Sequence, residues 1–184
     1  QHLPKNVLRY YKKYFPQYAK KSTRIATVSE FSKQDIANTY NILPQKIDVV
    51  YNGVSSEFEP LGEMQKTPIR NIYSEGAEYF IYVGSLHPRK NIERLFKAFE
   101  MFKQQTQSNL KLVVVGEAMF LSKSIQKTYD ESLVKNDIIF TGRVSNDELG
   151  LLLGAAYGMT YVPLFEGFGI PILEAFACNV PVIT

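Results

Sequence analysis

Two carboxylates flank a glycine-rich segment near the end of the chain. Glu166 and Glu174 enclose the sequence Gly167-Phe168-Gly169-Ile170-Pro171. Both glycines can adopt a positive φ and let a ligand approach the backbone, and the proline is typical of the first turn of a helix. Helix N-termini bind phosphate, and carboxylates accept hydrogen bonds from hydroxyls. The pattern therefore predicts a ligand that carries both phosphate and hydroxyl groups.

A second candidate anion site lies earlier, in the sequence Gly84-Ser85-Leu86-His87-Pro88-Arg89-Lys90-Asn91. Arg89 and Lys90 precede a predicted helix with Asn91 as its N-cap, so the helix dipole and both cations favour an anion there. The alternative is a solvated basic turn. We interpret His87 as an exposed loop imidazole.

Other chemistry is poorly supported by the sequence. The chain has no G-x-G-x-x-G fingerprint and no Walker A segment, which argues against dinucleotide and P-loop sites. Two histidines, one cysteine and no D-x-D pair predict no metal site. Cys178 lies in apolar company late in a predicted helix, which does not suit a nucleophile. Paired carboxylates could also serve a glycosidase, an alternative that the adjacent cations disfavour.

The composition indicates a soluble globular protein. The chain has 184 residues, 45% of them hydrophobic, and a net charge of +3, so disorder is excluded. The single cysteine excludes a disulfide scaffold and favours a reducing compartment, which predicts a cytoplasmic location. No apolar run is long enough to span a membrane. Because the sequence begins at Gln1 and ends inside an apolar run, we interpret it as a fragment.

The charge is concentrated at the N-terminus. Residues 1–24 contain seven Lys and Arg and no acid, whereas the remaining residues carry a net charge of −4. Tyrosines and Phe15 interleave this segment at helical spacing, which predicts a basic amphipathic helix. An anionic membrane surface, at the inner face of the membrane, and an anionic substrate are both open as partners. Nucleic acid is a third option that we do not expect, and a solvated helix that covers a neighbour is the non-functional alternative.

The elements that must position these residues alternate regularly. The predicted strands cover residues 24–28, 47–51, 79–84, 110–116, 137–141, 160–164 and 180–184. Three predicted helices begin at the capping boxes on Ser32 and Ser145 and near residue 91. Two more helices are predicted over residues 121–135 and 171–178. Continuous apolar strands alternating with helices predict an α/β fold with a Rossmann-like, doubly wound parallel sheet. Ligands of such sheets bind at the carboxyl ends of the strands.

We divide the chain into three parts. Residues 56–76 are polar and contain two prolines and two glycines, which predicts an interdomain linker. Residues 1–55 precede it as the remainder of one domain, and residues 77–184 form an incomplete Rossmann-like domain.

These pieces together resemble the family 4 glycosyltransferases, which have the two-domain GT-B fold. The resemblance covers nearly the whole chain, with the main match to the C-terminal donor-binding domain. Glu166 to Glu174 is similar to the family's E-x7-E motif, and Gly84 to Asn91 to its phosphate loop. The segments that resemble the last turn of the N-terminal domain, the interdomain segment and the base-side loop are Thr27-Val28-Ser29-Glu30-Phe31-Ser32, Tyr51-Asn52-Gly53-Val54 and Phe140-Thr141-Gly142-Arg143-Val144.

The resemblance implies roles for named residues. Glu174 would bind the nucleotide ribose, and Glu166 would bind the hydroxyls of the donor sugar. Arg89 and Lys90 would neutralise the departing diphosphate, in place of a metal. The other donor-binding residues implied are Gly84, Ser85, Gly116, Arg143, Val144, Gly167, Phe168, Gly169, Ile170 and Pro171. Many relatives have Arg at the position of Ser85, and Arg89 would supply the missing guanidinium.

The implied activity is retaining transfer of a hexose from a nucleoside diphosphate sugar to a glycan or lipid-linked acceptor, without a cofactor. Pro-Arg-Lys-Asn loops resemble those of mannosyl- and rhamnosyltransferases, which favours mannose and GDP-mannose. A sugar-nucleotide epimerase, a phosphorylase and a non-catalytic binding module are the alternatives. Because most of the N-terminal domain is missing, we expect this fragment to bind donor without turnover.

Overall fold

The computed structural model describes residues 4–117 and 123–184. The helices are α1 (Lys5–Lys21), α2 (Glu30–Tyr40), α3 (Glu63–Ser74), α4 (Ile92–Thr106), α5 (Lys123–Asp130), α6 (Asn146–Gly154) and α7 (Ile170–Ala177). The strands are β1 (Ile25–Thr27), β2 (Ile47–Val49), β3 (Tyr79–Val83), β4 (Lys111–Val115), β5 (Ile138–Gly142), β6 (Gly158–Thr160) and β7 (Val182–Ile183). Residues 121 and 122, which we expected to start a helix, lie outside the described residues.

The described chain forms two compact units. Unit 1 contains the described residues up to Gly53 together with Glu166–Gly169, and unit 2 contains Val54–Phe165 and Ile170–Thr184. In unit 1, β1 and β2 pair in parallel, and a small apolar core joins them to α1 and α2. The buried members of that core are Ala19, Ala37, Ile42 and Ile47.

The capping box predicted at Ser32 is wrong by three residues. Helix α2 begins at Glu30, and the Ser29 hydroxyl accepts the backbone N–H of Ser32 at 3.0 Å. Ser29 and Ser32 both match the start of a capping pattern, and the extended backbone of Ser29 makes it the N-cap. By contrast, the cap predicted at Ser145 is confirmed, since its hydroxyl accepts the N–H of Glu148.

Unit 2 has the predicted doubly wound architecture. Its five strands are all parallel and lie in the order β5-β4-β3-β6-β7, so the strand order reverses at β3. Alternate residues of β4 face opposite layers: Val113 packs in a core with α3, α6 and α7, and Leu112 packs in a core with α4 and α5. Burial on both faces explains the continuous apolar strands, and the fold-class prediction is confirmed.

The linker predicted over residues 56–76 contains a helix, so that prediction needs correction. Helix α3 packs Ile69 and Tyr73, one turn apart, against the core of unit 2. Phe58, which precedes the helix, is buried in the same core. The prolines and glycines that suggested a linker are tolerated because Gly62 precedes the helix and tertiary packing offsets the lost N–H of Pro68.

Strand β6 is shorter than predicted and ends at Thr160. The predicted strand continued to Leu164. The Tyr161 N–H still donates to the Ile183 carbonyl of β7 at 2.8 Å, but farther along the backbone bonds to the loop after β3. The N–H of Leu164 donates to the carbonyl of Arg89 at 2.9 Å. Pro163 has no N–H to donate to a ladder. In the described part of the chain, no helix is long and apolar enough to cross a membrane.

Helix α6 packs closely against the segment that precedes α3. A Cβ on Gly150 would lie 2.4 Å from the carbonyl oxygen of Glu57, and a Cβ on Gly154 would lie 2.8 Å from the Leu61 side chain. We therefore expect Gly150→Ala to lower the free energy of unfolding by about 1–3 kcal/mol, because backbone must move. Chemical denaturation measures this change.

The matched control is Gly53→Ala, since a Cβ there would meet nothing within 4 Å. This variant should be neutral or slightly more stable, because alanine restricts the unfolded chain. Equal stability of the Gly150 and Gly53 variants would contradict the packing argument.

Candidate functional site

The loops that follow β3 and β4 approach each other so closely that one position admits only glycine. A Cβ on Gly116 would lie 2.1 Å from the Gly84 carbonyl oxygen, and Gly116 has a φ of 144°. Backbone hydrogen bonds join the ends of the same strands. The Gly84 N–H donates to the Val115 carbonyl and the Gly116 N–H donates to the Gly142 carbonyl, both at 2.9 Å. Three strand ends of unit 2 are thereby fixed side by side.

The turn after β3 is stabilised by its own polar side chains. His87 Nδ1 accepts the backbone N–H of Arg89 at 3.1 Å. The imidazole is half-buried, so our interpretation of His87 as an exposed loop residue is wrong. Asn91 precedes α4 as predicted, but its side chain makes no cap hydrogen bond. Instead, Asn91 adopts a left-handed conformation and its Nδ2 donates to the Val162 carbonyl at 3.0 Å.

The two cations of this turn point to the chain that follows β6. Arg89 Nη1 donates to the Phe165 carbonyl at 2.7 Å. The Lys90 ammonium lies 5.7 Å from the centre of the Tyr161 ring, within the range of a cation–π interaction. Both cations are half-buried. The loops after β3 and β6 are therefore held together by side chains as well as by backbone.

Glu174 is a half-buried carboxylate on α7. Burial raises its pKa above the ordinary value for a glutamate, because desolvation disfavours the charged form. Among residues 4–117 and 123–184, no group donates a hydrogen bond to this carboxylate or forms an ion pair with it. Glu174 thus has acceptor capacity that a ligand hydroxyl can use.

The remaining predicted residues of unit 2 differ in exposure. Arg143 is exposed, and Val144 packs against the sheet core. The carbonyl of Ser85 accepts the Tyr82 hydroxyl at 3.0 Å, which fixes the start of the loop. Ile170 is exposed and begins α7, so the predicted first-turn position of Pro171 is found.

The segment Glu166–Gly169 belongs to unit 1, where two serines hold it. The Gly167 carbonyl accepts the hydroxyls of Ser29 at 2.5 Å and Ser32 at 3.3 Å. Ser29 therefore both caps α2 and anchors this segment. Sequence reasoning missed the second role; the only available signal was a pair of hydroxyls, three residues apart, at the start of a helix.

Gly167 and Gly169 are needed in this segment for different reasons. Gly169 is buried and has a φ of 94°, as predicted for a residue that needs glycine's conformational freedom. Gly167 is not among the residues with positive φ, so that expectation is wrong. Its lack of a side chain matters for packing, because a Cβ there would lie 3.3 Å from Ser32 Oγ. The Phe168 ring lies 6.3 Å from that of Tyr51.

The predicted donor-binding residues are thus distributed over both units. At the strand ends of unit 2, Gly84 contacts Gly116, and a Cβ on Gly84 would lie 3.7 Å from Lys90 Cε. Arg89 belongs to the same turn as Lys90 and reaches the Phe165 carbonyl. A cavity of about 280 Å³ is lined by Gly116 of this group, together with Leu86, Phe140 and Gly142.

Cys178 does not suit nucleophilic chemistry. Burial, together with the neighbouring Glu174 charge, raises the pKa of its thiol to about 11. In the described ranges, no three His, Cys, Asp or Glu side chains are grouped so that they could hold a metal ion.

Comparison with known sequences identifies the family. The family described as "Glycosyl transferases group 1" matches residues 65–184, and "Glycosyltransferase Family 4" matches residues 1–58. The chain belongs to the group 1 glycosyltransferases. The resemblance inferred from the E-x7-E motif and the phosphate loop is therefore confirmed.

Similar proteins include several mannosyltransferases. O-antigen chain mannosyltransferase B of Escherichia coli is 29% identical over 98% of this chain and 48% of its own length. O-antigen chain mannosyltransferase RfbU of Salmonella typhimurium is 35% identical over 89% of this chain and 42% of its own length. This glycosyltransferase chain spans less than half the length of these relatives.

Solved structures share the fold. Anabaena Alr3699/HepE, crystallised with UDP and glucose, superposes with a TM-score of 0.81 at 19% identity, over 98% of this chain and 48% of that one. WaaG, a glycosyltransferase involved in lipopolysaccharide biosynthesis, superposes with a TM-score of 0.72 at 21% identity, over 88% of this chain and 44% of that one.

The half-buried Glu174 carboxylate of this glycosyltransferase chain yields a pH-dependent prediction. Because the folded-state pKa of Glu174 is raised, the native state binds the proton more tightly than the unfolded state, so the ionised form destabilises the fold at neutral pH. Glu174→Gln should therefore melt at a higher temperature than the wild type at pH 7. The gain should shrink as the pH falls through the raised pKa and the wild-type carboxyl becomes protonated.

Melting curves between pH 4 and 8 test this, with Glu59→Gln as the control because Glu59 is exposed. The control should change the melting temperature little at any pH. A pH-independent effect of Glu174→Gln would contradict desolvation as the cause.

Proposed function

We propose that the full-length protein is a retaining glycosyltransferase. It transfers a hexose, with mannose favoured, from a nucleoside diphosphate sugar to a glycan or lipid-linked acceptor, and residues 77–184 supply most of its donor-binding domain. The observation that carries the proposal is the convergence of Gly84, Gly116 and the Arg89–Lys90 pair at the strand ends of unit 2. The mannosyltransferase relatives support the choice of mannose.

In this proposal Arg89 and Lys90 stabilise the diphosphate. Cleavage of the bond between the sugar C1 and the β-phosphate oxygen leaves negative charge on that oxygen, while the acceptor oxygen bonds to C1 and its proton passes to the departing phosphate. Cations already held in place before this charge develops lower the barrier, since little reorganisation is needed. The contacts of Arg89 with Phe165 and of Lys90 with Tyr161 supply that placement.

The carboxylates and backbone would hold the rest of the donor. Glu174 accepts the ribose hydroxyls, which suits its lack of a partner in the described chain, and Glu166 accepts hydroxyls of the sugar. Backbone from Gly167 to Pro171, with Ser85, lines the sugar and phosphates, and Arg143 with Val144 lies on the base side. A cytoplasmic location fits a single unpaired and buried cysteine.

Calorimetric titration of the full-length protein tests the donor assignment. GDP, UDP, ADP and dTDP and their sugars are compared without magnesium, on the wild type and on Glu174→Ala. Loss of a charge-assisted hydrogen bond to the ribose should weaken binding about ten- to a hundredfold, equivalent to roughly 1.5–3 kcal/mol. The matched control, Glu59→Ala, should bind like the wild type.

Two results would overturn the proposal. One is the absence of binding for every nucleotide series at millimolar concentration. The other is release of free nucleotide and an altered sugar with no acceptor present, which is the signature of an epimerase. For an active protein, NMR of the product should show the anomeric configuration of the donor retained.

The isolated 184-residue chain should bind donor but not transfer sugar, because most of the acceptor domain of its relatives lies outside it. A radiolabelled-donor assay beside the full-length protein measures this directly. Transfer by the isolated chain at a rate near that of the full-length protein would show that the acceptor site lies within these residues.

A further inference from the structure

The turn after β3 holds the backbone of Arg89 from both sides. The Arg89 carbonyl accepts the N–H of Leu164 at 2.9 Å, and the Arg89 N–H donates to His87 Nδ1 at 3.1 Å. The Arg89 side chain donates from Nη1 to the Phe165 carbonyl at 2.7 Å. Of these three contacts, the one with His87 is made to a side-chain atom. A substitution at His87 therefore removes it without removing a backbone partner.

His87 bonds the second cation of the turn as well. Its carbonyl accepts the N–H of Lys90 at 2.8 Å, so Arg89 and Lys90 both donate their backbone N–H groups to one residue. Pro88 lies between them and has no N–H, which makes the Arg89 N–H the first that the imidazole can accept. His87 is thus the N-cap of the short 3₁₀ helix Pro88–Lys90.

The contact with Arg89 determines where the imidazole carries its hydrogen. A backbone N–H can only donate, so His87 Nδ1 must present a lone pair. A neutral imidazole then carries its one hydrogen on Nε2, whereas a cationic imidazole carries a hydrogen on both nitrogens. The turn therefore requires neutral His87 in the Nε2–H form. Its ring takes the acceptor role that serine, aspartate or asparagine usually has at an N-cap.

We infer that His87 is a positioning residue for the donor diphosphate and acts through the acceptor atom Nδ1. By holding the Arg89 N–H, it keeps the guanidinium of Arg89 and the ammonium of Lys90 in place before the diphosphate arrives. Cations that are already placed stabilise phosphate charge with little reorganisation, so a looser turn binds diphosphate less tightly. The inference rests on the proposed function, in which Arg89 and Lys90 stabilise the diphosphate.

Three substitutions in the full-length protein separate the acceptor atom from the ring. His87→Asn keeps an acceptor, because the asparagine Oδ1 follows Cγ as the histidine Nδ1 does. His87→Phe keeps a ring and has no acceptor, and His87→Ala removes both. We expect His87→Asn to bind GDP like the wild type. His87→Phe and His87→Ala should bind GDP about three- to tenfold more weakly, which is the usual effect of losing one hydrogen bond.

Calorimetric titration with GDP measures this change, or titration with the diphosphate of whichever series binds in the donor titration. The loss should be confined to the phosphate end of the ligand. The matching nucleoside, guanosine for GDP, carries no phosphate and should bind the wild type and all three variants equally. Saturation-transfer NMR detects this weaker binding, and equal nucleoside binding shows at the same time that each variant is folded.

The matched control is Ser108→Ala. Ser108 Oγ accepts the N–H of Leu110 at 3.1 Å, so it makes the same kind of bond to the residue two positions later. It precedes β4, at the edge of the sheet opposite the candidate site. Ser108→Ala should bind GDP like the wild type. Nitrogen-15 NMR of the wild type at pH 8 should show the His87 ring, assigned by its loss in His87→Asn, with a hydrogen on Nε2 and none on Nδ1.

Equal GDP binding by the wild type and His87→Ala would overturn the inference alone. So would an Nδ1–H imidazole at pH 8, or His87→Phe that binds like the wild type while His87→Asn does not, since ring packing would then be the cause. Failure of the wild type to bind any nucleoside diphosphate would instead overturn the proposed function, and this inference with it. The two failures are therefore distinguishable.

Discussion

The contact between the Gly84 carbonyl and Gly116 is the constraint on which the candidate site depends. With 2.1 Å between that carbonyl oxygen and the place where a Cβ would stand, no side chain can separate the loops after β3 and β4. Adjacent parallel strands already bring their carboxyl ends to one edge, and this contact brings the backbones themselves together. At that edge of the sheet, the surface between the two loops is therefore formed by main-chain groups rather than by side chains.

The turn after β3, which carries Arg89 and Lys90, is stabilised by the side chains of His87 and Asn91. His87 holds the N–H of Arg89, and Asn91 holds the carbonyl of Val162, so the backbone on both sides of the two cations is fixed. Arg89 and Lys90 then make their contacts from a rigid base. In the sequence His-Pro-Arg-Lys-Asn, the outer residues His87 and Asn91 therefore position the turn, and the inner residues Arg89 and Lys90 supply the charge.

Much of the fold could be predicted from the sequence, because strands buried on both faces leave a continuous apolar signal. Ser145 was recognisable as an N-cap because only one serine there has capping-box spacing to a glutamate, Glu148. Local ambiguity defeated other predictions: Ser29 and Ser32 both fit a cap, and only the backbone conformation selects Ser29. Helix α3 was missed because Gly62 and Pro68 suggested a linker, although Ile69 and Tyr73 already had helical spacing.

The candidate site was predictable as a set of residues and not as a set of contacts. The E-x7-E pattern presents Glu166 and Glu174 as one motif, yet the structure anchors them differently. The segment that begins at Glu166 is held by hydroxyls of Ser29 and Ser32, more than a hundred residues earlier in the chain. Glu174 is held by the packing of α7 on the sheet core. Because long-range hydrogen bonds leave no periodic trace in a sequence, spacing revealed the two carboxylates but could not show which contacts hold each of them.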